Sequence, residues 1–191
     1  LKEPLVIKRE LAGYAVHAEH AAEMARQIAT ERFPEDVYSR GLKVYTTLIK
    51  ADQEAAYASL RRGVMDYDRR HGYRGAESYL DMKHIKSDQD EAIDEALQDI
   101  PDAGDLIPAL VLAADSKQIH AYRKGGDIVT LSGDAMKFAA AMLDDKAPAN
   151  KRIKRGAIIR LLKNDKGDWQ ISQLPEVESA FVAVDPKSGA I

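Results

Sequence analysis

Cysteine is absent from all 191 residues, which excludes disulfide bonds, thiol nucleophiles and Cys-ligated zinc. Long apolar runs are missing too: none approaches the ~18 residues that a bilayer-spanning helix requires. Neither sign of charge is in excess, since 28 Lys and Arg face 31 Asp and Glu for a net charge of −3. That balance disfavours a protein that binds nucleic acid by bulk phosphate neutralisation. Seven prolines and twelve glycines are too few for a disordered or fibrous chain. What is present is ordinary for a chain that buries a core: 45% apolar and 31% charged residues. The length fits one domain, or a small domain with pieces of another.

The spacing predicts a helix over 11–32, with Ala15, Ala18, Ala22, Ala25 and Ala29 three and four apart. An alanine face buries little area per residue, so it calls for a close neighbour. Phe33-Pro34 stops it, because proline disfavours helical geometry in the residue before it. Residues 42–49, rich in β-branched side chains, predict a strand. A second helix over 51–68 carries Ala56, Leu60, Val64 and Tyr67 on one face and ends at the Gly72 cap. Ser87 with the acids after it predicts the N-terminus of a short helix running to Leu97.

Beyond residue 105 the pattern changes to short strands at 109–114, 118–123, 127–131, 157–163 and 169–174. Lys124-Gly125-Gly126 makes a hairpin between the second and third. A short helix capped by Ser132 falls between the third and fourth. That order predicts an α+β fold built on a five-stranded OB-like β-barrel with flanking helices; an SH3-like barrel fits the strand count nearly as well. Residues 179–184 alternate as a further strand, followed by a turn at Asp185-Pro186-Lys187-Ser188-Gly189. The chain opens on Leu1 rather than Met and stops just after that turn. We therefore expect a piece of a longer protein.

No chemistry of its own is legible. Ser-x-x-Lys, Ser-x-Asn, Lys-Thr-Gly and Gly-x-Ser-x-Gly do not occur, and Lys124-Gly125-Gly126 lacks the spacing of a phosphate cradle. His17 and His20, three apart on a helix with Glu19 and Glu23 nearby, suggest a metal, but no third nitrogen or sulfur ligand accompanies them. We expect no catalytic residue, cofactor or metal site. Two basic clusters are candidate interaction surfaces. One is the helix-ending loop with Arg69, Arg70, Tyr73 and Arg74, whose arginines are expected to tie two domains together. The other is Lys151, Arg152, Lys154 and Arg155 in the loop before the fourth strand. A polymer-binding OB surface also needs stacking aromatics, for which the barrel region offers Tyr122, Phe138 and Trp169.

Several blocks resemble class A penicillin-binding proteins of the 1A type: Gly41-Leu42-Lys43-Val44-Tyr45-Thr46-Thr47-Leu48, Gln53-Glu54-Ala55-Ala56, and residues 66–75 with His71-Gly72-Tyr73-Arg74-Gly75. Residues 169–180 and 182–191 do so as well. Ile49 departs from the acid or hydroxyl that the family often carries there, which weakens the helix cap. The resemblance implies a bifunctional peptidoglycan glycosyltransferase and serine-type transpeptidase at the periplasmic face of the bacterial inner membrane. It implies a linker with a helix over 1–41 and the first transpeptidase strand and helix over 42–72. The OB-like insert would occupy 73–175, with a returning transpeptidase strand over 176–191. The strands near 43–48 and 179–184 would then pair as a small remnant of one sheet. The family's catalytic residues would lie outside these 191 residues, so none is carried over. The partners implied are other domains of the same chain, a periplasmic or outer-membrane regulatory protein, and peptidoglycan. Nucleic acid is not among them.

Overall fold

Residues 157–163, Ala-Ile-Ile-Arg-Leu-Leu-Lys, carry apolar side chains at both parities, as a strand covered on both faces should. A computed structural model, describing residues 16–82 and 90–191, shows this strand inside the sheet, paired along both of its edges. The elements in chain order are α1 (Glu19–Arg32), α2 (Lys50–Arg70), β1 (Ser78–Tyr79), α3 (Asp90–Gln98), β2 (Ile107–Ala114), β3 (Gln118–Arg123) and β4 (Asp127–Ser132). A 3-10 helix (Gly133–Met142), β5 (Ala157–Lys163) and β6 (Trp169–Ser172) complete them. The chain divides into two units, Leu1–Gly63 with Ser179–Ile191, and Val64–Glu178.

In the unit Val64–Glu178 all strand pairings are antiparallel, in the order β1-β5-β2-β3-β4, with β6 also on β5. β1 and β6 share one edge of β5: β1 pairs at Ala157 and Ile158, β6 from Arg160 onward. Odd-numbered residues of β5, Ala157, Ile159 and Leu161, enter a core with Ala109, Val111, Ile119, Ala121, Val129, Leu131 and Ile171. The 3-10 helix adds Met136 and Ala139 to that core. Ile158 faces the other way, into a second cluster where Ile93 and Leu97 of α3 cover Leu110 and Tyr122. Both faces of β2 and β5 are therefore buried. A bulge between Val111 and Ala113 shifts the β2–β3 register by one residue, which sharpens the local bend. Pro108 precedes the stretch paired with β3, so its missing N–H removes no bond from that ladder.

The α+β class and the five expected strands are present. The two-residue β1 is a sixth that the sequence did not signal. The sheet curls: the Arg123 guanidinium of β3 lies 4.3 Å from the Trp169 ring of β6, although β2 and β5 separate those strands in the ladder. Among the described residues β4 and β6 form no ladder, so the hydrogen-bonded sheet of this OB-like fold is open. Ser132 makes no side-chain capping bond to the 3-10 helix.

The unit Leu1–Gly63 with Ser179–Ile191 corrects a second expectation. Neither 42–49 nor 179–184 is a strand, and among the described residues no ladder joins them. Val44, Tyr45, Ile49, Phe181, Val182 and Val184 are all exposed. β-branched and aromatic residues favour a strand only where a neighbouring strand and a covered face receive them, and here neither is supplied. The Thr47 hydroxyl donates to the Ile191 carbonyl at 2.9 Å, a side-chain link in place of the expected pairing. The turn is formed: Asp185 Oδ1 accepts from the amides of Lys187 and Ser188, each at 2.8 Å. α1 begins at Glu19 and buries none of its residues; the expected start at residue 11 and the Ser87 cap lie outside the described residues. α2 runs as expected to Arg70, and Gly72 just beyond it has a φ of +87°, the left-handed geometry that glycine supplies freely.

Candidate functional site

Helix α2 ends by turning its last acid, Asp68, inward. That carboxylate is 5% exposed, and a buried charge persists only when paired and hydrogen-bonded. Arg74 Nη1 donates to Asp68 Oδ1 at 2.6 Å, and Gln173 Nε2 donates to Asp68 Oδ2 at 2.7 Å. Gln173, 7% exposed, also donates to the Gly72 carbonyl at 3.0 Å and accepts from the Arg74 amide at 2.9 Å. Arg74 Nη2 donates to the Leu174 carbonyl, and its Nε meets Glu176 Oε1 at 3.0 Å. The segment leading into the sheet (68–74) and the segment leaving it (173–176) are thereby clasped together by side chains about a hundred residues apart.

A buried guanidinium lines the same groove as the half-buried Arg74. Arg160 is 4% exposed on the β5 face opposite the core, held bidentately by Glu77 at 2.6 and 2.8 Å. Its Nη1 donates to the carbonyls of Pro101 at 2.7 Å and Leu106 at 3.3 Å. β1 and β6 part company along β5 at this point, leaving a groove of about 320 Å³ lined by Arg74, Glu77, Arg160, Ser172 and Glu176 among others. Each guanidinium in it is already bonded to a carboxylate. Among the described residues no cluster of three or more His, Cys, Asp and Glu is placed to hold a metal ion. His17 lies stacked on Tyr57 at 4.1 Å and bonded to Glu19 at 2.9 Å.

The two basic clusters read from the sequence are brought together, through backbone and aromatic rings. At Gly75, with φ +113°, an added Cβ would lie 2.7–2.8 Å from the Cα, Cβ and carbonyl oxygen of Lys151, so only glycine lets the loop close on that residue. The Ala76 amide then donates to the Lys151 carbonyl at 3.1 Å, and the Tyr79 hydroxyl to the Arg152 carbonyl at 2.7 Å. Arg69 stands 5.3 Å over the Phe138 ring, which Tyr73 meets edge-on at 5.4 Å. Lys154 Nζ lies 5.1 Å from the Tyr79 ring, and Arg152 is paired with Asp145 at 3.0 Å. Burial pushes the Tyr73 phenol up, with Tyr79 and Glu77 adding to the effect; burial also raises Tyr79, against the opposing pull of Arg152. Arg70, Lys151, Lys154 and Arg155 are exposed.

The three aromatics that could have stacked against a polymer are engaged otherwise. Tyr122 is fully buried beneath α3, its hydroxyl bonded to Asp94 at 3.0 Å. Phe138 lies under Arg69. Trp169 has the Arg123 guanidinium at 4.3 Å and Lys163 Nζ at 5.1 Å. Sequence reasoning missed Asp68, Gln173 and the Glu77–Arg160 pair. The one available signal was an arginine inside the apolar run of β5, which had to find a carboxylate if that strand was buried.

Residues 73–177, more than half of the chain, match the family described as the penicillin-binding protein OB-like domain. The chain is 38% identical over its full length to penicillin-binding protein 1A of Neisseria lactamica, covering 24% of that protein. It is 33% identical, again over its full length, to penicillin-binding protein 1A of Haemophilus influenzae, covering 22%. The crystal structure of the Haemophilus influenzae protein superposes on 92% of this chain with a TM-score of 0.71 and 32% identity, using 25% of that chain. The sequence thus spans about a quarter of the length of these relatives. On the match over 73–177 and the fold shared with that solved relative, the chain belongs to the penicillin-binding protein OB-like domain family.

Proposed function

We propose that residues 64–178 act as a non-catalytic OB-like module within a bifunctional penicillin-binding protein that polymerises and cross-links peptidoglycan at the periplasmic face of the inner membrane. Its task is to position the transpeptidase domain and to dock a regulatory protein. The observation that carries the positioning reading is the Asp68–Arg74–Gln173 clasp. A module attached through a flexible linker has no need to bury a carboxylate where its two connecting segments meet. A module that must hold a direction does, because a satisfied buried polar network fixes one geometry. No helix among the described residues is long and apolar enough to cross a membrane.

The test uses the longer protein with Gln173→Ala, comparing peptide cross-linking with acylation by a fluorescent penicillin. Reduced cross-linking with acylation retained supports positioning; unchanged cross-linking overturns it. The 191-residue chain by itself should take no covalent penicillin label, and a labelled band would contradict the non-catalytic assignment.

The other reading, a polymer-binding OB module contacting glycan or another polyanion through 151–155, keeps its charges but has lost its stacking platforms, since Tyr122, Phe138 and Trp169 are all occupied. Neutralising Lys151, Arg152, Lys154 and Arg155 and measuring retention on peptidoglycan separates the two readings. Unchanged retention counts against it.

A further inference from the structure

The two basic clusters, about eighty residues apart in sequence, are joined by a chain of contacts, and those contacts say what kind of partner they fit. From Arg69 the contacts pass to Phe138 and Tyr73, across the Gly75–Lys151 approach, and through Arg152 and Tyr79 to Lys154. The chain as a whole is acidic, with a net charge of −3, so a basic face is a local departure from its average. Within that face Asp145 is paired with Arg152, while Arg69, Lys151 and Lys154 stand exposed.

The rings under this surface do not face outward for a ligand. Phe138 lies beneath a guanidinium and Tyr79 beneath an ammonium. A cation held over an aromatic face is oriented by the ring quadrupole yet stays solvated on its outer side. Sugars and bases are gripped by open aromatic faces, which this surface lacks. Acidic side chains need only positioned cations. The loops are also fixed: Gly75 is pressed against Lys151, and Ile153 is buried with its amide donating to the Met142 carbonyl at 2.7 Å. The cations therefore stand on a preformed frame, which lowers the ordering cost of docking.

We propose that Arg69, Lys151 and Lys154 form a docking surface for an acidic, extended segment of a partner protein. The inference rests on the docking part of the function proposed above and is independent of the positioning part, which the cross-linking experiment addresses separately. The probe is a fluorescent poly-L-glutamate peptide titrated into the 191-residue chain, followed by anisotropy at rising ionic strength. Binding should weaken as salt screens the contact. The variant Arg69→Glu/Lys151→Glu should lose about tenfold or more in affinity. Lys117→Glu/Lys166→Glu, which makes the same change in net charge at exposed sites of the same unit outside the two clusters, should keep the affinity of the parent chain. Circular dichroism confirms that both variants fold. Equal losses in the two variants, or no binding at all, overturn the proposal. So does tighter binding of the parent chain to phosphatidylglycerol vesicles or to isolated peptidoglycan than to the peptide, because a membrane or glycan surface would then be the occupant.

Discussion

The two units of this chain have similar kinds of residues and opposite degrees of burial. Every buried residue among those described belongs to Val64–Glu178, and none to Leu1–Gly63 with Ser179–Ile191. Yet the second unit is not short of apolar side chains: Met24, Ile28, Phe33, Val44, Tyr45, Ile49, Phe181 and Val182 are all exposed in it. What separates the units is pairing. Short turns join β2 to β3, β3 to β4 and β5 to β6, β5 pairs back onto β2, and the strands bury one face on the 3-10 helix and, in β2, β3 and β5, part of the other beneath α3. Residues 42–49 and 179–184 have the same β-forming composition without strands to join. Apolar composition supplies the possibility of a core, and pairing decides where one forms.

The sharpest way to break that comparison is to truncate one apolar residue in each unit. Leu110 is fully buried under α3, so Leu110→Ala should cost about 2–5 kcal/mol. Ile49 is 62% exposed, and Ile49→Ala should stay within about 0.5 kcal/mol. Trp169 is the single tryptophan, so urea unfolding followed by its fluorescence reports on Val64–Glu178. Leu110→Ala should shift that transition and Ile49→Ala should leave both it and the helical signal in place. A comparable loss from Ile49→Ala would mean that the exposed unit is held by apolar contacts after all.

Glycines provide the next contrast. Gly75→Ala meets left-handed strain and a backbone overlap with Lys151 together, and should cost about 2–4 kcal/mol while displacing the 151–155 loop. Gly41 also has a positive φ, of 61°, but nothing lies near its missing Cβ. Gly41→Ala should therefore cost only the backbone part, about 1 kcal/mol. Equal costs for the two would remove the close approach from the account of how the basic clusters meet. Amide chemical shifts of 151–155, moved by Gly75→Ala and unmoved by Gly41→Ala, make the same point without a stability measurement.

Polar links differ between the units in the same sense. Gln173→Ala leaves an Asp68 oxygen, the Gly72 carbonyl and the Arg74 amide short of a partner, all at or near a buried position. The expected loss is about 1–3 kcal/mol, with faster hydrogen exchange at the Arg74 amide. Thr47→Val removes the Thr47–Ile191 bond in the exposed unit, where water replaces it, and should change stability by less than about 0.5 kcal/mol.

How much of this could be read from the sequence follows the range over which each feature is decided. β3 and β5 match their expected limits residue for residue, because turn residues and strand composition are local signals. The α2 stop at Gly72 is equally local. The Asp68–Gln173 bond joins residues 105 apart, and no periodicity reveals such a pair. The same holds for Arg123 on Trp169, which exists only because the sheet curls. The strand expected at 42–49 failed for the converse reason: its local signal was sound and its partner was not supplied. Arg69 and Lys151 were both legible as candidates, but the approach of Gly75 to Lys151 that links their two loops required the fold.

The smallest effect distinguishes the units by the origin of their pKa shifts. In Val64–Glu178 the Tyr73 phenol is raised mainly by burial. In the exposed unit Glu23 is lowered to about 2, chiefly by its hydrogen bond with Arg26 and then by Gln27, at an exposed site. Arg26 also donates to the Tyr38 hydroxyl at 3.0 Å, bridging α1 to the turn after it. A carboxyl held below its unfolded value of 4.5 adds stability above that value and loses it as pH falls through the folded value, so the window runs from about 4.5 down to about 2. An NMR titration of the Glu23 carboxyl should place its midpoint well below the usual glutamate range, with α1 helicity declining only inside that window. Arg26→Gln should return the midpoint to the usual range and leave the Trp169 unfolding transition unchanged. If the midpoint stays low without the guanidinium, the shift does not come from a surface hydrogen bond, and this contrast between the two units is lost. Salt supplies the same discrimination from the other side, since a bond at this exposed site is screened, whereas a shift caused by burial, as at Tyr73, is not.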